Sequence, residues 1–202
     1  MRLIPRRPNL ALARDVETER LWLRSIGPLR AVLLVAPWRH DAEMMGGLML
    51  YAGKMSLWHW LRAYKRPNNV NRFSYAIVPK THNRAVGLIS VRRLPDGSAE
   101  SHIGISDHAW RGHQVSIEAR AALMTLFFRH GVTQFQCSID SRNFASVFVY
   151  KRLGFRFIEA VDSERSDRAT GRKIQRVRFI LTREDWERLE TAGGTAGGNV
   201  DA

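Results

Sequence analysis

The sequence is short of cysteine and of long hydrophobic runs, and both shortages exclude classes of protein. Cys137 is the single cysteine among 202 residues, so an intramolecular disulfide is impossible and a cysteine-based zinc site is not expected. A reducing, intracellular compartment is compatible with this count. The apolar run near the start, residues 31–37, is far shorter than the ~20 residues of a membrane-spanning helix. We therefore predict a cytoplasmic protein with no membrane span.

Acidic residues are also scarce relative to basic ones. Nineteen Asp and Glu stand against 32 Lys and Arg, so the formal net charge is +13, and only five of the basic residues are lysine. Such an excess attracts polyanions, among them RNA, the ribosome and the phosphates of a cofactor. Because the arginines are dispersed rather than consecutive, a general arginine bias on solvated faces explains the charge equally well.

Length and composition predict one globular domain. The hydrophobic fraction of 45% and the charged fraction of 25% are ordinary for such a protein. We predict a single domain at residues 18–190, a flexible basic arm at 1–17 and a disordered glycine-rich tail at 191–202. Both a monomer and a dimer are compatible with the sequence.

Hydrophobic periodicity predicts strands and helices in mixed order. Strands are predicted at residues 18–26, 72–78, 86–94, 99–106, 133–139, 155–161 and 173–181. Helices are predicted within 41–64, at 117–130, at 143–153 and, capped by Thr182, through Glu190. Residues 95–98 have the composition of a tight hairpin turn, whereas the state of 31–35 stays open. The order of elements predicts an α+β fold on a mixed sheet.

A basic turn containing one glycine precedes the helix at 117–130. It runs from Trp110 to Ser116 and includes Arg111, Gly112 and His113. The free N–H groups at a helix start, together with the helix dipole, bind anions, and glycine allows the backbone to approach closely. The turn is therefore a candidate diphosphate site, although basic turns before helices are common.

A second polar pattern lies on the helix at 143–153. Asn143, Ser146 and Tyr150 are spaced i, i+3 and i+7, so they share one face of a helix that is otherwise mostly apolar. This arrangement indicates a binding site. The structural alternative is that Asn143 only caps the helix and that Tyr150 is a core residue with its hydroxyl at the rim.

In this order and spacing, the two motifs resemble those of the GNAT superfamily of N-acetyltransferases. Residues 107–112, Asp-His-Ala-Trp-Arg-Gly, are similar to the diphosphate turn of that family. Residues 143–155 are similar to its Asn-x-x-Ser-x-x-x-Tyr-x-x-x-Gly-Phe helix. Residues 18–24 and 181–186 resemble the opening strand and the closing segment of the RimJ/RimL-type branch, the ribosomal-protein N-terminal acetyltransferases.

The resemblance implies a strongly twisted mixed sheet, flanked by helices, whose central strands splay apart to hold acetyl-CoA as co-substrate, without a metal. A neutral primary amine, either a protein N-terminus or a small molecule, is expected to attack the thioester directly. Tyr150 is expected to protonate the CoA thiolate as it leaves. The residues expected to contact CoA are Ile103, Gly104, Ile105, Arg111, Gly112, His113, Gln114, Val115, Ser116, Asn143 and Ser146.

Glu100 and His102 are the candidates for the base that accepts the proton of the amine. A histidine imidazole suits proton transfer at neutral pH, whereas Glu100 needs burial to raise its pKa. For each of them a solvated strand edge is the alternative. Cys137 is not expected to act as a nucleophile, because no activating partner is evident.

The sequence departs from the family pattern within the basic turn. The pattern has a second glycine where Gln114 stands, and Gly or Ala where Ser116 stands. The Gln114 side chain either crowds the diphosphate or donates to it. This departure and the net charge keep a second hypothesis open, a non-catalytic protein of the same fold that binds CoA or RNA. A third is a structural partner in a larger assembly, which uses the aromatic residues of 58–64.

Overall fold

The computed structural model describes residues 7–41, 67–166 and 173–193, and in this part eight strands form one sheet. In chain order the strands are β1 (Val16–Glu17), β2 (Leu21–Ser25), β3 (Arg72–Pro79), β4 (Gly87–Arg93), β5 (Ala99–Ile105), β6 (Gln134–Asp140), β7 (Arg156–Ser166) and β8 (Lys173–Thr182). Their spatial order is β1-β2-β3-β4-β5-β6-β8-β7. All neighbours pair antiparallel except β5 and β6, which run parallel.

The described residues also form α-helices that flank the sheet. These are α1 (Pro28–Val35), α2 (Val115–Arg129), α3 (Phe144–Arg152) and α4 (Arg183–Thr191). Helix α2 is buried around most of its circumference, because it packs on the sheet on one side and on α4 on the other. Phe127 meets Phe73 of β3 edge to face at 5.3 Å, and Phe128 lies 6.3 Å from Trp186 of α4. The predicted α+β fold is confirmed.

The sheet opens between β5 and β6. Each strand has seven residues, yet the ladder joins them only at Ala99 and Phe135. On its other edge, β5 pairs with β4 along its whole length. Beyond Ala99, one edge of β5 therefore has no neighbouring strand in the part of the chain that the structure describes, and this gap is the predicted splay.

Residues 9–17 are not the free arm that the basic N-terminus suggested. Leu12 and Val16 are 0% and 2% exposed, and both belong to the main core. The Tyr75 hydroxyl donates to the carbonyl of Leu12, and Val16 pairs with Leu23 between β1 and β2. The prediction was wrong here because it weighed charge and missed two apolar side chains, each of which contributes about 2 kcal/mol when buried.

Other boundaries differ by a few residues. Strand β2 begins at Leu21 rather than at 18, α2 begins two residues earlier than predicted, and β7 extends to Ser166 rather than ending at 161. Residues 28–35, which include the stretch left open, form a helix with Pro28 in its first turn. The helices predicted within 42–64, the aromatic run at 58–64 and the tail from 194 lie outside the described residues. No helix in the described part is long and apolar enough to span a bilayer.

Candidate active site

A buried carboxylate holds the turn before α2 in place. Glu118 is 5% exposed. It accepts hydrogen bonds from the Thr18 hydroxyl at 2.6 Å, from the main-chain N–H of Arg20 at 2.9 Å and from Nε of Arg20 at 2.7 Å. Arg20 Nη2 in turn donates to the carbonyl of His113 at 3.0 Å. The connection between β1 and β2 therefore fixes both the turn and the start of α2.

The turn itself contains two residues with left-handed backbone. Gly112 has φ +79 and Gln114 has φ +60. Left-handed residues within a turn aim successive N–H groups at one side, and the resulting concavity binds anions. The main-chain N–H groups of 112–116 donate to no acceptor in the described chain. Together with the dipole of α2, this geometry suits an oxyanion.

The side chains of the turn contribute less than its backbone. Arg111 Nε donates to the carbonyl of Ile105 at 3.0 Å, and its guanidinium lies 3.5 Å from Asp41. Arg111 thus ties the turn to the end of β5. The side chains of His113 and Gln114 are exposed, and Ser116 is half-buried.

Tyr150 lies at the closed end of the splay. It is 4% exposed, and its ring meets Phe155 edge to face at 4.9 Å. Its hydroxyl donates to the carbonyl of Ser101 on β5 at 3.0 Å, so it is buried rather than placed at the rim of the core. Burial raises the pKa of the Tyr150 phenol, while the neighbouring Arg120 lowers it. Because burial has the larger effect, the phenol retains its proton.

Arg120 is part of this site and was missed by the sequence analysis. It lies on α2 and is 5% exposed. Its Nη1 donates to the Tyr150 hydroxyl oxygen at 2.8 Å, to the Ser101 carbonyl at 3.2 Å and to the Ser101 hydroxyl. Its Nε is buried without a hydrogen-bond partner, and within the described chain it forms no ion pair with a carboxylate. The one available signal was a basic residue inside an otherwise apolar stretch of helix.

Alternate residues of β5 turn their main-chain groups into the splay. The carbonyl of Ser101 is bonded to Tyr150 and that of Ile105 to Arg111. Ile103 lies between them on the same edge, where the ladder to β6 does not reach. The peptide groups of Gly104 point the other way, to β4. Of the three β5 residues predicted to contact CoA, Ile103 and Ile105 therefore face the gap.

The side chains of Glu100 and His102 lie on the opposite face of the sheet from that of Ser101. Arg92 Nη2 donates to Glu100 at 2.7 Å, and Nε2 of His102 is 3.9 Å from the same oxygen. Hydrogen bonding to His102 and Arg92 holds the pKa of Glu100 below its usual range despite burial, and Arg92 is the closer contact. The raised pKa that Glu100 needs as a base is therefore not found. The His102 side chain is 74% exposed.

The polar residues on one face of α3 have different roles, since some hold the helix in place and Tyr150 belongs to the candidate site. Asn143 Oδ1 accepts from the main-chain N–H of Ser146 at 3.0 Å, so Asn143 does cap the helix. The Ser146 side chain is half-buried. Gly154, with φ +83, ends the helix and lets Phe155 turn back so that its N–H donates to the carbonyl of Tyr150 at 3.0 Å. Capping at both ends thus sets the position of Tyr150.

Cys137, on β6, lies near the side chains of Tyr150 and Arg120. It is half-buried, and burial raises the pKa of its thiol to about 12. The group is therefore a neutral thiol at physiological pH, which makes it a poor nucleophile. No cluster of three or more potential metal ligands occurs among residues 7–41, 67–166 and 173–193.

Within the described residues, a splayed sheet, a turn with unpaired main-chain N–H groups and a buried phenol thus lie along one edge of β5. The family model described as the acetyltransferase (GNAT) domain matches residues 20–156. The chain belongs to this family of acetyltransferases. No protein in the curated comparison set matches the sequence.

Solved structures share the fold at low sequence identity. One, named as a probable acetyltransferase of the GNAT family from Chromobacterium violaceum, is 19% identical with a TM-score of 0.70, over 93% of each chain. A GCN5-related N-acetyltransferase from Brucella melitensis is 16% identical with a TM-score of 0.71, over 95% of this chain and 86% of that one. The ribosomal-protein-S5-alanine acetyltransferase from Vibrio fischeri is 15% identical with a TM-score of 0.65, over 85% and 98%.

Proposed function

We propose that this protein transfers an acetyl group from acetyl-CoA to a primary amine, which attacks the thioester directly. The observation that carries the proposal is the position of the Tyr150 hydroxyl. It lies against Ser101 at the closed end of the splay, on the same strand edge that leads to the anion-binding turn.

The residues present suit acetyl-CoA as substrate. The N–H groups of 112–116 have no acceptor in the described chain and fit a diphosphate. The free edge of β5 at Ile103 fits the amides of the pantetheine arm. Because Arg111 joins the turn to Ile105, a molecule lying along β5 has its phosphates at the turn and its thioester toward Tyr150.

Each group then has a definite task. The amine nitrogen forms a bond to the thioester carbon, the carbon–sulfur bond breaks, and the sulfur takes the proton of Tyr150. For this step the hydroxyl must leave the Ser101 carbonyl. Arg120 Nη1, at 2.8 Å, stabilises the phenolate oxygen that remains. The exposed His102 accepts the proton that the amine loses, directly or through water.

The acceptor is either a protein N-terminus or a small-molecule amine. The likeness of residues 18–24 and 181–186 to the RimJ/RimL-type branch supports the former, as does the fold shared with the Vibrio fischeri enzyme. A net charge of +13 supports attraction to an anionic target such as the ribosome in the cytoplasm.

One observation favours a second candidate, a non-catalytic protein that binds CoA or RNA. Gln114 holds a left-handed backbone at φ +60, where a side chain costs about 1–2 kcal/mol. A side chain at this exposed position of the turn also crowds a diphosphate, which disfavours its tight binding.

Melting curves and thiol release separate the two candidates. We expect acetyl-CoA to raise the melting temperature, and a panel of primary amines to release CoA thiol from it. Tyr150→Phe keeps the thermal shift and loses the release. Stabilisation by CoA with no thiol release for any amine would contradict the enzyme. A salt-dependent shift with RNA alone would favour nucleic-acid binding.

A further inference from the structure

We propose that the amine acceptor is a small molecule bearing an oxyanion, either a carboxylate or a phosphate, which Arg72 and Arg92 bind beside His102. The inference rests on the proposed function and names the class of acceptor for that same site.

The two arginines line one pocket. Its volume is about 170 Å³, and Ser74, Ser90 and His102 line it with them. The strand register explains this grouping, because Arg72 lies opposite Arg92, while Ser74, Ser90 and His102 follow one another across β3, β4 and β5. Two guanidinium groups, two hydroxyls and an imidazole thus converge on one face of the sheet. We call this group the arginine pocket.

Among residues 7–41, 67–166 and 173–193, the arginine pocket has more positive than negative charge. Like charges directly opposite each other on neighbouring strands repel, and one carboxylate, Glu100, offsets them by pairing with Arg92 at 2.7 Å. The Arg72 side chain forms no hydrogen bond or ion pair within the described chain. The Nε atoms of Arg72 and Arg92 are both buried without a hydrogen-bond partner.

This chemistry selects an oxyanion. The arginine fork offers parallel N–H donors that match the two oxygens of a carboxylate or a phosphate. An oxyanion between Arg72 and Arg92 accepts hydrogen bonds from their guanidinium groups and offsets the repulsion. A volume of about 170 Å³ holds one such group with a few attached atoms.

The arginine pocket lies within reach of the reacting atoms. His102 belongs both to the pocket and to β5, the strand that borders the splay. Arg92 is one strand away from β5 and Arg72 two strands, about 5 Å and about 10 Å at normal strand spacing. A short acceptor can therefore place its nitrogen near His102 while its oxyanion contacts the arginines.

Matched substrate pairs test the proposal. With acetyl-CoA as donor, kcat/KM is compared for 4-aminobutanoate against 4-aminobutanamide, and for 2-aminoethyl phosphate against ethanolamine. We expect the anionic member of at least one pair to be preferred about tenfold or more, as one charge-assisted contact provides. The pair with the larger preference tells a carboxylate from a phosphate.

Arg72→Met is the diagnostic variant, because Arg72 has no acid partner among the described residues and its loss strands no carboxylate there. We expect KM for the anionic amine to rise about tenfold, with KM for the neutral amine and for acetyl-CoA unchanged. Arg156→Met is the matched control. It removes the same charge from an exposed position paired with Asp185, and should leave the preference intact.

Two measurements, ligand binding and thiol release, test the arginine pocket and the proposed reaction separately. Calorimetric binding of 2-aminoethyl phosphate and 4-aminobutanoate in the presence of CoA needs no turnover. Binding that Arg72→Met abolishes, without thiol release from any amine, would support the pocket and overturn the proposed function. Turnover of the neutral amines as efficient as that of the anionic ones, or an equal loss for both in Arg72→Met, would overturn the pocket and leave the function standing.

Discussion

Helix α2 buries two charged side chains only two residues apart, and the fold treats them in opposite ways. Glu118 and Arg120 are each 5% exposed. Glu118 is neutralised by Arg20 and accepts a further bond from Thr18. Arg120 has no carboxylate partner in the described chain, and its Nη1 bonds are to Tyr150 and Ser101.

The contrast separates structural charge from functional charge. Burying a charge is costly unless partners within the fold compensate it. Glu118 is compensated, and it fixes the turn before α2. Arg120 has no carboxylate partner among the described residues, so its burial is a cost that the fold offsets elsewhere, and its charge is directed at the Tyr150 hydroxyl, the proposed proton donor. Substitutions of Glu118 should therefore mainly lower stability, and substitutions of Arg120 should mainly lower activity.

The largest effect on activity is expected at Tyr150, whose hydroxyl accepts a hydrogen bond from Arg120. Tyr150→Phe removes the proton donor while keeping the ring contact with Phe155. We expect kcat to fall about 10²–10⁴-fold, the usual contribution of general acid catalysis, with KM for acetyl-CoA little changed. Steady-state thiol release measures both constants. A variant with near-normal kcat would show that another group or water protonates the sulfur.

Glu118→Gln should lower the free energy of unfolding, because Glu118 holds the turn before α2 in place. The variant leaves the half-exposed Arg20 guanidinium facing a neutral amide and weakens its charge-assisted hydrogen bonds, at a cost of about 1.5–3 kcal/mol. Urea unfolding measures the loss. The exposed Arg24–Asp15 pair provides the control, since Arg24→Met should cost about 1 kcal/mol or less. Equal losses for the two variants would contradict a special role for Glu118.

Arg120→Met should show the reverse pattern, with activity lost and stability kept. We expect kcat to fall about tenfold or more, because a charge-assisted bond to the phenolate oxygen is lost. Replacing an uncompensated buried charge with an apolar side chain of similar volume should leave the free energy of unfolding unchanged or higher. A purely structural Arg120 predicts lower stability and an unchanged kcat instead.

The pH profile of Arg120→Met gives an independent readout. The charged or titratable groups facing Tyr150 are Arg120 and Cys137. Tyr150 acts as an acid only while protonated, so activity falls as pH rises through its pKa. Arg120 lowers that pKa, and its removal should move the alkaline limb of kcat to higher pH. A limb at unchanged pH would mean that Arg120 does not act on the phenol.

The smallest effect is expected at Gln114, where the substitution changes backbone strain rather than a buried charge. Gln114→Gly relieves a left-handed residue at φ +60, which should stabilise the protein by about 1 kcal/mol. If the Gln114 side chain crowds the diphosphate, affinity for CoA rises in the variant; if its amide donates to the diphosphate, affinity falls. Calorimetry with CoA decides between them, and an unchanged affinity would exclude both roles.

The elements that the sequence predicts well are those whose pattern is local. The alternation in residues 99–106, the hairpin turn at 95–98 and the spacing from Asn143 to Tyr150 depend on neighbours within a few residues. Each of them is found, with boundaries shifted by one or two residues. The turn before α2 is likewise found, and Gly112 within it has the left-handed backbone that glycine favours.

Residues whose surroundings come from distant segments were not predictable in this way. Arg120 contacts β5 and α3 across separations of 19 and 30 residues. Arg72 and Arg92 share a pocket because two strands pair in one register. Leu12 and Val16 are buried because the core extends over them. Burial does not raise the pKa of Glu100, because hydrogen bonding to His102 and to Arg92 at 2.7 Å lowers it.

The sequence by itself determined the family, the mixed α+β sheet and the two motifs at the ends of the site, because periodicity, turn chemistry and motif spacing are properties of short stretches of chain. Only the tertiary structure decided which charges are compensated. Packing brings Glu118 to Arg20 and leaves Arg120 and Arg72 without acids in the described chain. Compensation depends on distances across the fold, and those are set by how the sheet, its splay and α2 come together.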